Sequence, residues 1–344
     1  MKIIFIFCLF VWTLLTSHAF AGGHEDNSGS AAHSGHDAHG HQMTPEQLKV
    51  LRAKIPLYDI YTDEQIVMGM SRMQNLWGWM GEEGTRDGKI GILGLAHGFK
   101  EPGNSQFRNA FSETNKSFPA TYALGMAMMS SDHIQDAITA LEEAGAETIV
   151  VLPATTSDNS TLTRQWEYIF GRRDDSAYLD VPRVKASANL VFTDTPTAHP
   201  IMGEIMLDYA REKSMQPEKE VVVILGHGPQ SAEDNAKELG LLAKHAKFIK
   251  QQGGFNDVIF ANVQDDAPPD VRAGNVRDIR AQAEKARAKG LQIIAVTTNL
   301  TTSGITKRLE EDIGDIAVFN SKGLMLHPRF AAWIDDVVAG GLKN

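Results

Sequence analysis

The chain has 344 residues, 42% of them hydrophobic and 22% charged, which is room for two medium domains with ample core. Its formal net charge of −10, without any basic run, argues against nucleic acid and anionic membrane surfaces as partners. Its single cysteine, Cys8, lies in the N-terminal apolar run, so the chain beyond it has no thiol for a disulfide or a thiolate ligand.

In chain order, Lys2 precedes an apolar run from Ile3 to Leu15, and Ala19-Phe20-Ala21 supplies a small-large-small cleavage pattern. Residues 1–21 read as a secretory signal, which predicts a periplasmic or secreted protein. Leu9 after Cys8 argues against lipoprotein processing. The run is too short to span a bilayer comfortably, and no other segment approaches roughly 20 apolar residues, so no stable membrane insertion is expected after cleavage. Residues 22–43 are low-complexity, with His24, His33, His36, His39 and His41 among Gly, Ser, Ala and Asp. With almost nothing apolar to bury, the segment is expected to be disordered. Its imidazoles and carboxylates can close around Zn²⁺, Ni²⁺, Co²⁺ or Cu²⁺, and a passive linker is the alternative.

Residues 44–88 read as an N-terminal helical extension. Thr44-Pro45-Glu46 is a helix start, with threonine at the cap and proline at the first position. Helical patterning continues, with interruptions, to Gly81. Met68, Met70, Met73, Trp77, Trp79 and Met80 suit a helix packed on a core, or contact with a flat macrocycle or soft metal.

From Lys89 strands and helices alternate. Strands are expected at Ile90–Leu95, Ala120–Met126, Thr148–Leu152 and Val184–Phe192, then at Val221–Leu225, Asp257–Val263, Gln292–Val296 and Ile316–Phe319. The helices between them imply an α/β protein with parallel sheets, in two lobes over residues 89–195 and 196–344 facing a central cleft, the linking helix 200–213 at their border. Both halves carry the same signals. His97-Gly98 and His227-Gly228 each end an apolar run and stand 130 residues apart. Ala198-His199-Pro200 and Leu326-His327-Pro328 each precede the last helix of a half, their histidines 128 residues apart. The pattern predicts a tandem duplication of one α/β unit.

A histidine where a parallel strand ends sits at the carboxyl edge of the sheet, where such folds bind ligands. Its neutral imidazole can ligate a divalent metal or accept a proton, so His97 and His227 are candidate catalytic and metal-binding residues. Local capping of the strand is the alternative. Glu101 is a candidate proton shuttle, while acids near helix N-termini, such as Glu101, Glu113, Glu233 and Asp234, are also ordinary dipole partners. His199 and His327 read as positional, and His133 and His245 as structural. No Walker loop or G-x-G-x-x-G follows a strand, so no nucleotide cofactor is expected, and no G-x-S-x-G elbow marks a serine hydrolase.

The order of these motifs carries a resemblance: strand, His97-Gly98, a polar turn with asparagine, a helix, then Gly145-Ala-Glu-Thr-Ile-Val-Val-Leu-Pro153. With Lys322-Gly-Leu-Met-Leu-His-Pro328 leading the final helix, Lys89 to Trp333 resembles the class II tetrapyrrole chelatases of the sirohydrochlorin cobalto- and ferrochelatase type. The resemblance implies two lobes around a porphyrinoid and ATP-independent insertion of Co²⁺, Fe²⁺ or Ni²⁺, with His97 as the family's strand-end histidine and His227 as its counterpart. Those chelatases usually carry a second histidine after the third strand of the active lobe; Thr163 and Thr306 stand at about that place here. A divalent ion (Co, Ni, Fe or Zn) as substrate or ligand and a tetrapyrrole as partner are therefore expected. A non-catalytic exported metal or tetrapyrrole carrier on the same scaffold is the second expectation. Oligomeric state is not legible.

Overall fold

The computed structural model describes residues 43–71, 75–81, 84–125 and 129–342. The signal expected over residues 1–21, and the segment with His24, His33, His36, His39 and His41, lie outside the described residues. No helix among the described residues is long and apolar enough to cross a membrane.

The extension opens with helix α1 (Pro45–Lys54), where the Thr44 hydroxyl accepts the Gln47 amide and the Gln47 side chain accepts the Thr44 amide. A short 3-10 turn, Pro56–Ile60, leads to α2 (Asp63–Ser71). Leu48, Leu51, Ile55 and Ile66 from this extension pack on the outer face of the first sheet.

The first sheet holds β1 (Leu76–Trp79), β2 (Ile90–Ala96), β3 (Ala120–Leu124), β4 (Thr148–Pro153) and β5 (Asn189–Phe192), in spatial order β1-β3-β2-β4-β5. The second holds β6 (Glu220–Gly226), β7 (Asp257–Asn262), β8 (Gln292–Thr297) and β9 (Val318–Phe319), in order β7-β6-β8-β9. Every pairing is parallel except β1 with β3. Without β1, the two sheets share one strand order. The crossovers are α3 (Gly103–Ala110) with α4 (Thr114–Ser117), α5 (Asp132–Glu143) and α6 (Thr161–Ile169) in the first sheet and α8 (Ala232–Gly253), α9 (Pro269–Arg287) and α10 (Gly304–Ile313) in the second; α7 (Pro200–Arg211) joins the two sheets, and α11 (Phe330–Gly341) follows β9.

Two expectations need correction. Trp77 and Trp79 belong to a strand, not a helix: the pair alternates about Gly78, a period of two, and Gly78 faces the Tyr122 ring so closely that a Cβ would sit 2.9 Å from its hydroxyl. The first sheet is therefore mixed, not wholly parallel. The strand expected at Val184–Phe192 begins only at Asn189, because the amides of Lys185, Ser187 and Ala188 are taken by the side chains of Gln135 and Glu142 on α5.

Side chains alternate across both sheets. Ile92, Val150 and Leu152 of the first, and Val222, Ile224, Ile294 and Val296 of the second, face one continuous inner core. Leu93, Leu95 and Val151 face outward under α5 and α6, and Val221, Val223 and Ala295 under α9 and α10. The inner core is filled by an exchange. Helix α7 ends the first half yet packs on α8 and β8 of the second, while α11 ends the second half yet packs on α4 and β4 of the first. At Gly341 a Cβ would touch Val191 and Val150 at 3.2 and 3.3 Å. The border at residue 196 thus separates the strands of the lobes but not their last helices.

Candidate functional site

His97 and His227 leave the carboxyl ends of β2 and β6, the same place in each strand order. Each is followed by a left-handed glycine, Gly98 at φ +90° and Gly228 at φ +75°. Such backbone favours glycine, and a Cβ at Gly228 would also lie 2.4 Å from Asn262. The turn brings each glycine carbonyl back to its own histidine, with Nδ1 3.4 Å from the Gly98 oxygen in one case and 2.9 Å from the Gly228 oxygen in the other. A carbonyl only accepts, so Nδ1 carries the proton and Nε2 keeps the lone pair.

The two imidazoles and Asp266 lie close together, since the charges of both His227 and Asp266 act on His97. Burial among protein atoms lowers the His97 pKa; the Gly98 carbonyl and Asp266 partly offset this, and His227 adds to it. Asp266, in the loop after β7, holds Oδ2 3.6 Å from His227 Nε2. Two tyrosines complete this end of the cleft. Burial first, then the neighbouring Asp266 carboxylate, push up the pKa of both Tyr58, from the N-terminal extension, and Tyr178, from the loop after α6. Three cross-lobe ties hold the sheet edges face to face: Ser157 and Asn159 donate to Glu238, Arg164 pairs with Asp234 at 2.6 Å, and the Thr302 amide donates to Gln106.

No family model matches the chain, and no curated protein matches it. Among solved structures it is similar to SirB from Bacillus subtilis with Fe³⁺, at a TM-score of 0.54 and 15% identity, covering 74% of this chain and 96% of that one. A multi-domain protein from Deinococcus radiodurans, described as structurally similar to chelatases, matches at a TM-score of 0.48 and 15% identity, covering 74% of this chain and 56% of that one. The fold is chelatase-like.

On this chelatase-like fold the other candidates take different places. Glu101 is engaged at the start of α3, accepting from the Ser105 amide and hydroxyl and from Arg108; those bonds hold its carboxyl below the usual range. Thr163 and Thr306 are buried in the first turns of α6 and α10, donating to the carbonyls of Ser157 and Thr301. Their hydroxyls are spent on the loops that follow β4 and β8. His199 and His327 accept an amide at the start of α7 and α11. Their Nε2 atoms reach across the exchange, His199 to Asp336 of α11 at 3.7 Å and His327 to Asp208 of α7 at 3.5 Å. His245 is buried, with Nε2 2.8 Å from the Thr197 carbonyl. Among the described residues no three histidine, aspartate or glutamate side chains group to hold a metal ion.

Asp266, Tyr58 and Tyr178 escape a reading of the sequence. Asp266 had a signal, an acid directly beyond an apolar strand, but its neighbour Asp265 shares it and is instead buried in an ion pair with Arg272 at 2.6 Å.

Proposed function

We propose that the chain inserts a divalent metal ion, Co²⁺, Fe²⁺ or Ni²⁺, into a sirohydrochlorin-type tetrapyrrole held between the lobes, without ATP. The observation that supports this is the pair of strand-end histidines, each with Nδ1 at its own glycine carbonyl, lying close together at the carboxyl edges of the two sheets of a chelatase-like fold. Metal insertion needs a lone pair to hand over the ion and acceptors for two pyrrole protons. His97 suits the first task, because burial keeps its imidazole neutral. His227 suits the second for one proton, its Nε2 lying 3.6 Å from the Asp266 carboxylate, which opens toward solvent and can take the other. Two histidines and one exposed carboxylate do not make a closed cage, which fits an ion in transit as substrate. Export through the N-terminal signal, and capture of the ion by the histidine-rich segment, belong to the same reading.

A carrier that binds metal or tetrapyrrole without catalysis is favoured by one observation: the hydroxyls of Thr163 and Thr306 are already spent within the protein. Sirohydrochlorin and each metal, incubated with the protein and followed by absorbance, separate the two. Conversion is expected, with His97→Ala slowing it about 10²-fold or more and leaving Tm unchanged, and His227→Ala also impairing it. Metal binding to His97 should persist on the acid side of the ordinary histidine range, since the lowered pKa keeps its imidazole neutral there. Stoichiometric binding without conversion would establish the carrier. A lowered Tm with conversion intact in both variants would defeat the site.

A further inference from the structure

A cavity of about 350 Å³ opens between the end of α1, the loop after α6 and the start of α8, lined by Lys54, Arg164, Arg173, Ser176 and Ser231 among others. It adjoins the histidine cleft. Gln230, also in its wall, is three residues past His227, so their Cα atoms lie within roughly 11 Å.

Three cations meet here in a strongly acidic chain. Lys54 donates to the Ser176 carbonyl and hydroxyl and to the Tyr178 carbonyl, and among the described residues no carboxylate pairs with it. Arg173 is short of acceptors: Glu167 and Asp175 stand at 3.5 and 3.6 Å, beyond a good hydrogen bond, and its Nε is buried without a partner. Arg164 shares its charge with Asp234 at 2.6 Å, and Asp175 is largely exposed. Thr161 opens α6 and Ser231 caps α8, so the amino ends of both helices line the cavity and add positive potential.

We infer that this cavity is a subsite for an anionic oxygen group, carboxylate or phosphate. Resting on the tetrapyrrole reading above, its occupant is the carboxylate-bearing edge of the macrocycle. The N-terminal extension then belongs to the binding site, because Lys54 closes one wall and holds the loop that carries Arg173 and Tyr178.

Arg173→Gln tests this, since the substitution removes the charge and breaks no close hydrogen bond. Binding is read by quenching of tryptophan fluorescence with uroporphyrin as the free acid and as its methyl ester, and separately by the shift in Tm on adding inorganic phosphate. The variant should bind the free acid about tenfold more weakly and the ester as wild type does, the loss of one charge-assisted bond. Loss of a phosphate-induced Tm shift alone would keep the subsite and make a free anion its ligand. If wild type binds no tetrapyrrole yet phosphate protects it, and not the variant, the tetrapyrrole reading fails while the subsite stands. Equal weakening toward acid and ester, or no change in any arm, overturns the inference. Lys54→Gln serves as the second variant if the first does not fold.

Discussion

His133 shows what one buried imidazole costs. It lies in the first turn of α5 at 3% exposure, its Nδ1 has no partner, and burial pushes its pKa down to about 4, with Asp132 pulling slightly back. In the unfolded chain it titrates near 6.5. Between those values the unfolded state binds the extra proton, so the stability is present above about pH 6.5 and lost as pH falls toward 4. The shift corresponds to ~3 kcal/mol. Urea titrations of wild type and His133→Leu at pH 7 and pH 4.5 should show a smaller acid loss in the variant; parallel losses would show that His133 is not the titrating group. Burial lowers His97 and His245 too, so their contributions carry the same sign. The strand-end placement of His97 and His227 was legible because a His-Gly pair ending an apolar run is a local signal. Asp266, Tyr58 and Tyr178 were not, because they meet only after distant parts of the chain have folded together.

The strand and helix pattern from Lys89 onward was legible for the reason that buried parallel strands and amphipathic crossovers have distinct periods. It failed where side chains outcompeted the backbone ladder, as at Lys185 to Ala188, and where a short strand lay within a methionine-rich stretch, as at Leu76–Trp79. The extension α1 is held by its own cap, by Leu48 and Leu51, and by Lys54, all downstream of the histidine-rich segment. Deleting residues 22–42 should therefore leave Tm unchanged and remove several weakly bound Ni²⁺ or Zn²⁺ equivalents by calorimetry. An unchanged metal stoichiometry would refute the role proposed for His24, His33, His36, His39 and His41.

At the scale of the whole molecule, the inner core belongs to both sheets at once. Trp333 of α11 is fully buried there, its ring 5.1 Å from that of Phe330, and α11 lies between the first sheet and α7. Trp333→Ala should cost about 3–5 kcal/mol and lower a single unfolding transition, with fluorescence and circular dichroism moving together. Two separated transitions would show that the lobes melt independently. The exchange of α7 and α11 carries a further meaning for how such a chain can arise. A half standing alone would leave the inner face of its sheet bare, whereas two identical halves trading their last helices would close a symmetric dimer. The reciprocal contacts of His199 with Asp336 and of His327 with Asp208 are what such a dimer would leave behind if its halves were joined end to end. Among the described residues Asp266 pairs with His227 and not with His97, so the two strand-end histidines are not chemically equivalent.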